Sequence, residues 1–140
     1  TSNNSTNAVI SSNLEQVDTG GQGTMGSAMT QSSGIFTFPS TGYWWVDFQG
    51  LGVTDNSGGT WELKIDVTTN NSSYATIAYS GVGNSDGRTC TARANSIIDV
   101  TDTANVKVRF TLSSFSGGDD LYGSTSQNQS FMTFIRLGDT

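Results

Sequence analysis

Two short runs restrict what this chain can fold into. Trp61-Glu62-Leu63-Lys64-Ile65-Asp66-Val67 alternates apolar and charged side chains without a slip. Val106-Lys107-Val108-Arg109-Phe110-Thr111-Leu112 alternates apolar and polar ones in the same way. Successive side chains of a β-strand point to opposite faces, so a period of two puts one face in a core and the other in water. A helix needs an apolar residue at every third or fourth position, and no long window of the 140 residues sustains that. The chain is therefore expected to be all-β.

The remaining strands are read from apolar runs between turn signals. Ala8–Ile10 opens the series. Residues 18–34 are Gly/Ser-rich and predict a loop with a short edge strand at most. Ile35–Phe38 ends at the break Pro39-Ser40-Thr41-Gly42. The long run from Tyr43 to Phe48 continues to Val53 and stops at Asp55-Asn56-Ser57-Gly58-Gly59. After the turn at Asn70-Asn71-Ser72 come Tyr74–Ser80, a loop from Gly81 to Gly87, an edge at Thr89–Ala94 and a strand at Ser96–Val100. Gly117-Gly118-Asp119-Asp120 falls in a long polar loop before the last strand, Phe131–Leu137. About eight strands at this spacing predict a sandwich, barrel or jelly roll. Residues 1–7 read as a polar tail or linker and residues 8–140 as one domain.

Composition closes off several functions. Only 13% of residues are charged, against about 25% in ordinary domains. The net charge is −6, and the cations are scattered, so no basic patch exists for nucleic acid or an anionic membrane. No apolar run of about 18 residues is present to insert as a helix. One cysteine, Cys90, cannot form an intrachain disulfide. With no histidine, the commonest general base and any Ser-His or Cys-His pair are missing, which argues against an enzyme.

Two strands depart from the one-sided pattern. Tyr43–Phe48 carries Trp44, Val46 and Phe48 on one face and Tyr43 and Trp45 on the other. Phe131–Leu137 carries Phe131, Ile135 and Leu137 on one face and Met132 and Phe134 on the other. An antiparallel sheet normally needs one apolar face. Two such faces predict burial on both sides, and a helix-free chain of this size has little left to form a third layer. A subunit interface is the expected cover, and Trp and Tyr are enriched in interface cores.

The stretch Gly34-Ile35-Phe36-Thr37-Phe38-Pro39-Ser40-Thr41-Gly42-Tyr43-Trp44 resembles the signature G-x-F-x-x-P-x-x-G-x-aromatic of the globular head of complement first-component subunit q. Ser96–Val108 is similar to that family's apolar strand, tight turn and V-x-V strand. Gln129–Ile135 is similar to its closing S-T-F-S-G-F-L, with Thr133 where the family has Gly. The resemblance implies a tumour-necrosis-factor-like, antiparallel two-sheet jelly roll assembled as a homotrimer. It further implies that Tyr43, Trp45, Phe131 and Ile135 lie at the trimer interface, and that Trp44, Val46, Phe48 and Phe134 fill the core. The Ser/Thr/Asn/Gly-rich, weakly charged composition resembles bacteriophage virion proteins. That implies a fibre knob or capsid decoration at the virion surface, adhesive toward a host. Its partners would then be its own copies, other virion proteins, or a host cell-surface glycan or protein. The alternative is a secreted recognition head that binds carbohydrate or protein.

Three smaller features complete the reading. Asp119 and Asp120 are the candidate ligands for Ca²⁺, a cation that takes carboxylate and carbonyl oxygens; no other cofactor is expected. Arg88 and Arg93 stand near Cys90 in sequence, where they could activate a thiol, although a lone strand cysteine is usually an inert apolar residue. Phe115 and Tyr122 flank the long loop as candidate exposed aromatics, or as the edge of the core.

Overall fold

The computed structural model describes residues 8–54, 59–83, 87–115 and 118–140. The expected tail at 1–7, the turn residues Asp55–Gly58, part of the Gly81–Gly87 loop and Gly117 lie outside the described residues. The described residues form ten strands: β1 (Ala8–Val9), β2 (Thr30–Ser32), β3 (Ile35–Thr37), β4 (Gly42–Val53), β5 (Thr60–Thr68), β6 (Ala75–Gly83), β7 (Thr89–Val100), β8 (Lys107–Ser113), β9 (Asp120–Tyr122) and β10 (Phe131–Gly138). No helix occurs among the described residues.

The strands make two antiparallel sheets. One has the order β2-β3-β8-β5-β6, with β1 beside β8; the other has the order β10-β4-β7, with β9 beside β4. Among the described residues, only β2-β3 and β5-β6 pair strands consecutive in sequence. The chain therefore crosses repeatedly between the sheets, as in a jelly roll.

Strand number and two boundaries differ from expectation. Thr89–Ala94 and Ser96–Val100 are one strand, because β4 pairs with β7 without interruption from Gly42↔Val100 to Val53↔Thr89. A weak strand former such as Asn95 does not end the ladder when its partner Asp47 continues it. β6 extends through Gly83 because β5 stays paired to it as far as Thr60↔Gly83. Asp120–Tyr122 forms β9 against β4 instead of a free loop.

The core rests on few large side chains. Phe110 is fully buried, with ring centroids 5.1 Å from Phe48, 5.4 Å from Phe36 and 5.8 Å from Phe134. Phe36 and Phe110 belong to the six-stranded sheet, Phe48 and Phe134 to the four-stranded one, so this cluster joins the layers. Spacings of 4.5–7 Å are those of attractive aromatic pairs.

The glycines of the sequence signature have a steric reason. Ser33 and Gly34 have φ of 51° and 79°, the paired positive values of a tight β2–β3 hairpin. A Cβ on Gly34 would lie 2.3 Å from the carbonyl oxygen of Ile10. Gly42 has φ 129°, and its Cβ would lie 2.3 Å from the carbonyl oxygen of Gly138. Both sites exclude a side chain twice over, by dihedral and by contact.

Candidate oligomer interface

β4 has two faces. Trp44 (6% exposed), Val46 (0%) and Phe48 (0%) point into the sandwich and belong to its buried cluster. Phe134, opposite Val46 on β10, is partly buried against that cluster. Tyr43, Trp45, Asp47 and Gln49 point the other way, onto the outside of the four-stranded sheet.

Register assembles an apolar row there. Ile135 of β10 and Ile97 of β7 both stand directly opposite Trp45. Ile97 is 59% exposed, Ile135 44% and Tyr43 42%. Trp45 is half-buried between its neighbours. Phe131, half-buried, lies further along the same face, opposite Gln49. Leu137, at a register shift in β10, is exposed as well. Tyr43, Trp45, Phe131 and Ile135 are thus brought to one face. Ile97 belongs with them and was not singled out from the sequence. The adjacent pair Ile97-Ile98 was the available signal, since two successive apolar residues give a strand two apolar faces.

An ion pair interrupts the patch. Asp47 is fully buried although it points outward. Arg93 covers it as a fork, Nε donating to Oδ1 at 2.7 Å and an Nη to Oδ2 at 2.9 Å. Asp47 in turn holds the Arg93 proton more tightly than usual. The two charges pair within the chain, so Asp47 adds no unpaired carboxylate to the face. Arg93→Ala is expected to lower the urea midpoint more than the double variant Asp47→Asn with Arg93→Ala. The single change strands a buried carboxylate, and the double change removes it. Urea unfolding followed by tryptophan fluorescence checks the order.

Other candidates are placed differently. Asp119 is buried and Asp120 sits in β9 opposite Val53, so neither is at the tip of a solvated loop. Both make contacts within the chain. No group of three or more His, Cys, Asp or Glu converges among the described residues, so this pair gains no further carboxylate toward a Ca²⁺ site. Cys90 stands opposite Gly52 on the inward side, while Arg93 is committed to Asp47 on the outward side. Their nearness in sequence therefore does not make a reactive thiol site. Phe115 is buried against Trp61, ring centroids 5.4 Å apart, as a core edge. Tyr122 is half-buried on the outward face, opposite Leu51.

Two antiparallel sheets in this strand order define a tumour-necrosis-factor-like jelly roll. No family model and no curated protein sequence matches the chain. Solved structures do. Murine APRIL superposes with a TM-score of 0.63 at 12% identity, over 81% of this chain and 80% of that one. The Eiger TNF of S. frugiperda superposes with a TM-score of 0.59 at 14% identity, over 80% of this chain and 70% of that one. The globular domain of the zebrafish complement 1qA protein gives 0.43 at 17% identity over 73% and 65%. The fold assignment rests on the first two. At these identities they establish the fold alone.

Proposed function

We propose that three copies of this chain associate through the outward face of β10-β4-β7, and that the trimer is a non-enzymatic module of a virion surface. The observation that carries the trimer is the contrast between the two sheets. The four-stranded sheet turns Tyr43, Trp45, Ile97 and Ile135 outward around its central strand, whereas the six-stranded sheet turns Lys64, Asp66, Arg109 and Thr111 outward on β5 and β8 and carries exposed Ile77 and Tyr79 on its edge strand β6. A contiguous row of exposed apolar side chains across the centre of a sheet is typical of an association surface. A trimer is the assembly that the complement-q resemblance implies. Light scattering at micromolar concentration is expected to give three times the mass of one chain. A single-chain mass would overturn the proposal.

The virion role rests on composition: 13% charged residues, no histidine and polar uncharged loops. A fibre knob or capsid decoration adhesive toward a host glycan or protein fits that surface. The second reading, a secreted recognition head, fits the fold equally and differs in location. Antiserum to the domain should label purified virus particles; labelling confined to secreted material would favour the second reading.

A further inference from the structure

The outward face of the six-stranded sheet holds a groove of about 260 Å³. Its floor is an ordered polar network across β6, β5 and β8. Asp66, only 5% exposed, stands opposite both Thr76 and Arg109. Thr76 Oγ1 donates to its Oδ1 at 2.7 Å. Thr111 Oγ1 at 2.7 Å and Arg109 Nε at 3.2 Å donate to its Oδ2. The Arg109 guanidinium carbon lies 4.1 Å from the centre of the Tyr74 ring. Arg109 is therefore held at its edge by a carboxylate and across its face by an aromatic ring. Burial pushes the Tyr74 phenol up, with Arg109 acting in the opposite sense, so the ring stays neutral at physiological pH.

The network leaves a particular set of groups unspent. Asp66 already accepts three hydrogen bonds. The threonine hydroxyl protons are used on Asp66, which leaves oxygen lone pairs. The two terminal nitrogens of Arg109 make no hydrogen bond to the described residues. Lys64 also lines the groove; its Nζ lies 3.1 Å from Glu62 Oε2 and keeps further N–H groups. Ser113 first, then Lys64, hold the Glu62 carboxyl below its usual range, so it stays ionised beside Lys64 and offsets part of its charge. The spare groups are thus a planar cationic fork, a second ammonium donor and hydroxyl acceptors, on a chain of net charge −6.

We infer that this groove binds a carboxylate-bearing saccharide. The guanidinium fork matches a carboxylate in two parallel hydrogen bonds. The threonine oxygens accept from neighbouring sugar hydroxyls. The volume lies just under the roughly 300–1,000 Å³ of ordinary ligand pockets, which suits one sugar residue rather than a longer segment. This deepens the adhesive reading by naming a site and ligand class, but the groove lies within one chain and does not require the trimer. A trimer built on the opposite sheet would leave the groove open on every subunit, and linked weak sites gain avidity.

Sodium glucuronate is the probe and glucose the neutral control, followed by amide NMR of the full chain. Glucuronate is expected to shift the amides of Lys64, Thr76, Arg109 and Thr111 saturably, and glucose is not. Arg109→Lys keeps the charge on Asp66 but loses the fork, and is expected to weaken binding about tenfold. Lys64→Gln, a change at the groove wall, is expected to weaken it about threefold and decides the matter if Arg109→Lys misfolds. No shift up to about 50 mM, well beyond the weak affinity expected of one sugar in an open groove, or equal shifts with glucose, would overturn the inference. The titration is repeated on Trp45→Glu. A chain that binds glucuronate but does not trimerise sinks only the trimer, and a trimer that does not bind sinks only this inference.

Discussion

A chain carrying Trp45→Glu is expected to run as a single subunit and to keep its fold. Trp45 lies at the centre of the outward row, with Ile97 and Ile135 directly opposite on either side. A carboxylate placed there would be desolvated on association and left without a partner. Arg93, the nearby cation of known position, is already taken by Asp47. Burying an unpaired charge costs several kcal/mol, and symmetric copies of it would repel one another. Truncation of a central interface aromatic alone commonly costs about 2–4 kcal/mol, so association should weaken by at least about a thousandfold. The fold should persist because the side chain faces away from the sandwich core. Light scattering gives the mass, and circular dichroism with urea unfolding reports the fold. Tyr79→Glu is the control: Tyr79 is 68% exposed on β6, in the other sheet, and the change should leave the mass as it is. A Trp45→Glu chain of unchanged mass would place the interface elsewhere.

Phe110→Ala is expected to destabilise each chain by about 3–5 kcal/mol, the usual cost of removing a fully enclosed aromatic ring. The ring touches Phe36 in its own sheet and Phe48 and Phe134 in the other. No single neighbour can move in without parting from the remaining two, so collapse of the cavity is limited. Against a typical total of about 5–15 kcal/mol, that loss is a large fraction. Phe110→Leu keeps most of the volume and should cost less than half as much. Urea unfolding at one fixed protein concentration measures both, since association would itself add stability. Near-equal costs for the two variants would show that the cluster rearranges freely, contrary to its packing.

Much of this was legible along the chain. The alternation in Trp61–Val67 and Val106–Leu112 placed Trp61, Leu63, Ile65, Val108, Phe110 and Leu112 correctly, and all are buried. The signature from Gly34 to Trp44 marked a backbone that only glycine satisfies at its ends, and the jelly roll follows that lead. Boundaries were less legible. Nothing local in Thr89–Val100 shows that Asn95 continues a strand, because a paired neighbour overrides weak propensity. Asp120–Tyr122 looked like loop for the same reason.

Charge placement was the least legible. Asp47 and Asp66 read as ordinary outward residues of alternating strands, yet each is buried beneath an arginine. Arg109 is 43 residues from Asp66 in sequence and stands opposite it only through the β5–β8 register. Arg93 reaches Asp47 across β4 and β7 in the same way. Ile97 joined Trp45 and Ile135 by register alone.

The sequence by itself determined which side chains are apolar on alternate positions, and so the all-β class, the core-facing residues of most strands and the two-faced character of β4 and β10. Those are local properties, set by side-chain chemistry and a two-residue period. The tertiary structure decided which outward residues meet: the row Ile135–Trp45–Ile97, the Asp47–Arg93 fork and the groove around Asp66 and Arg109. Each depends on pairing between strands distant in sequence, and shifting one strand by a single residue would turn its whole set to the opposite face.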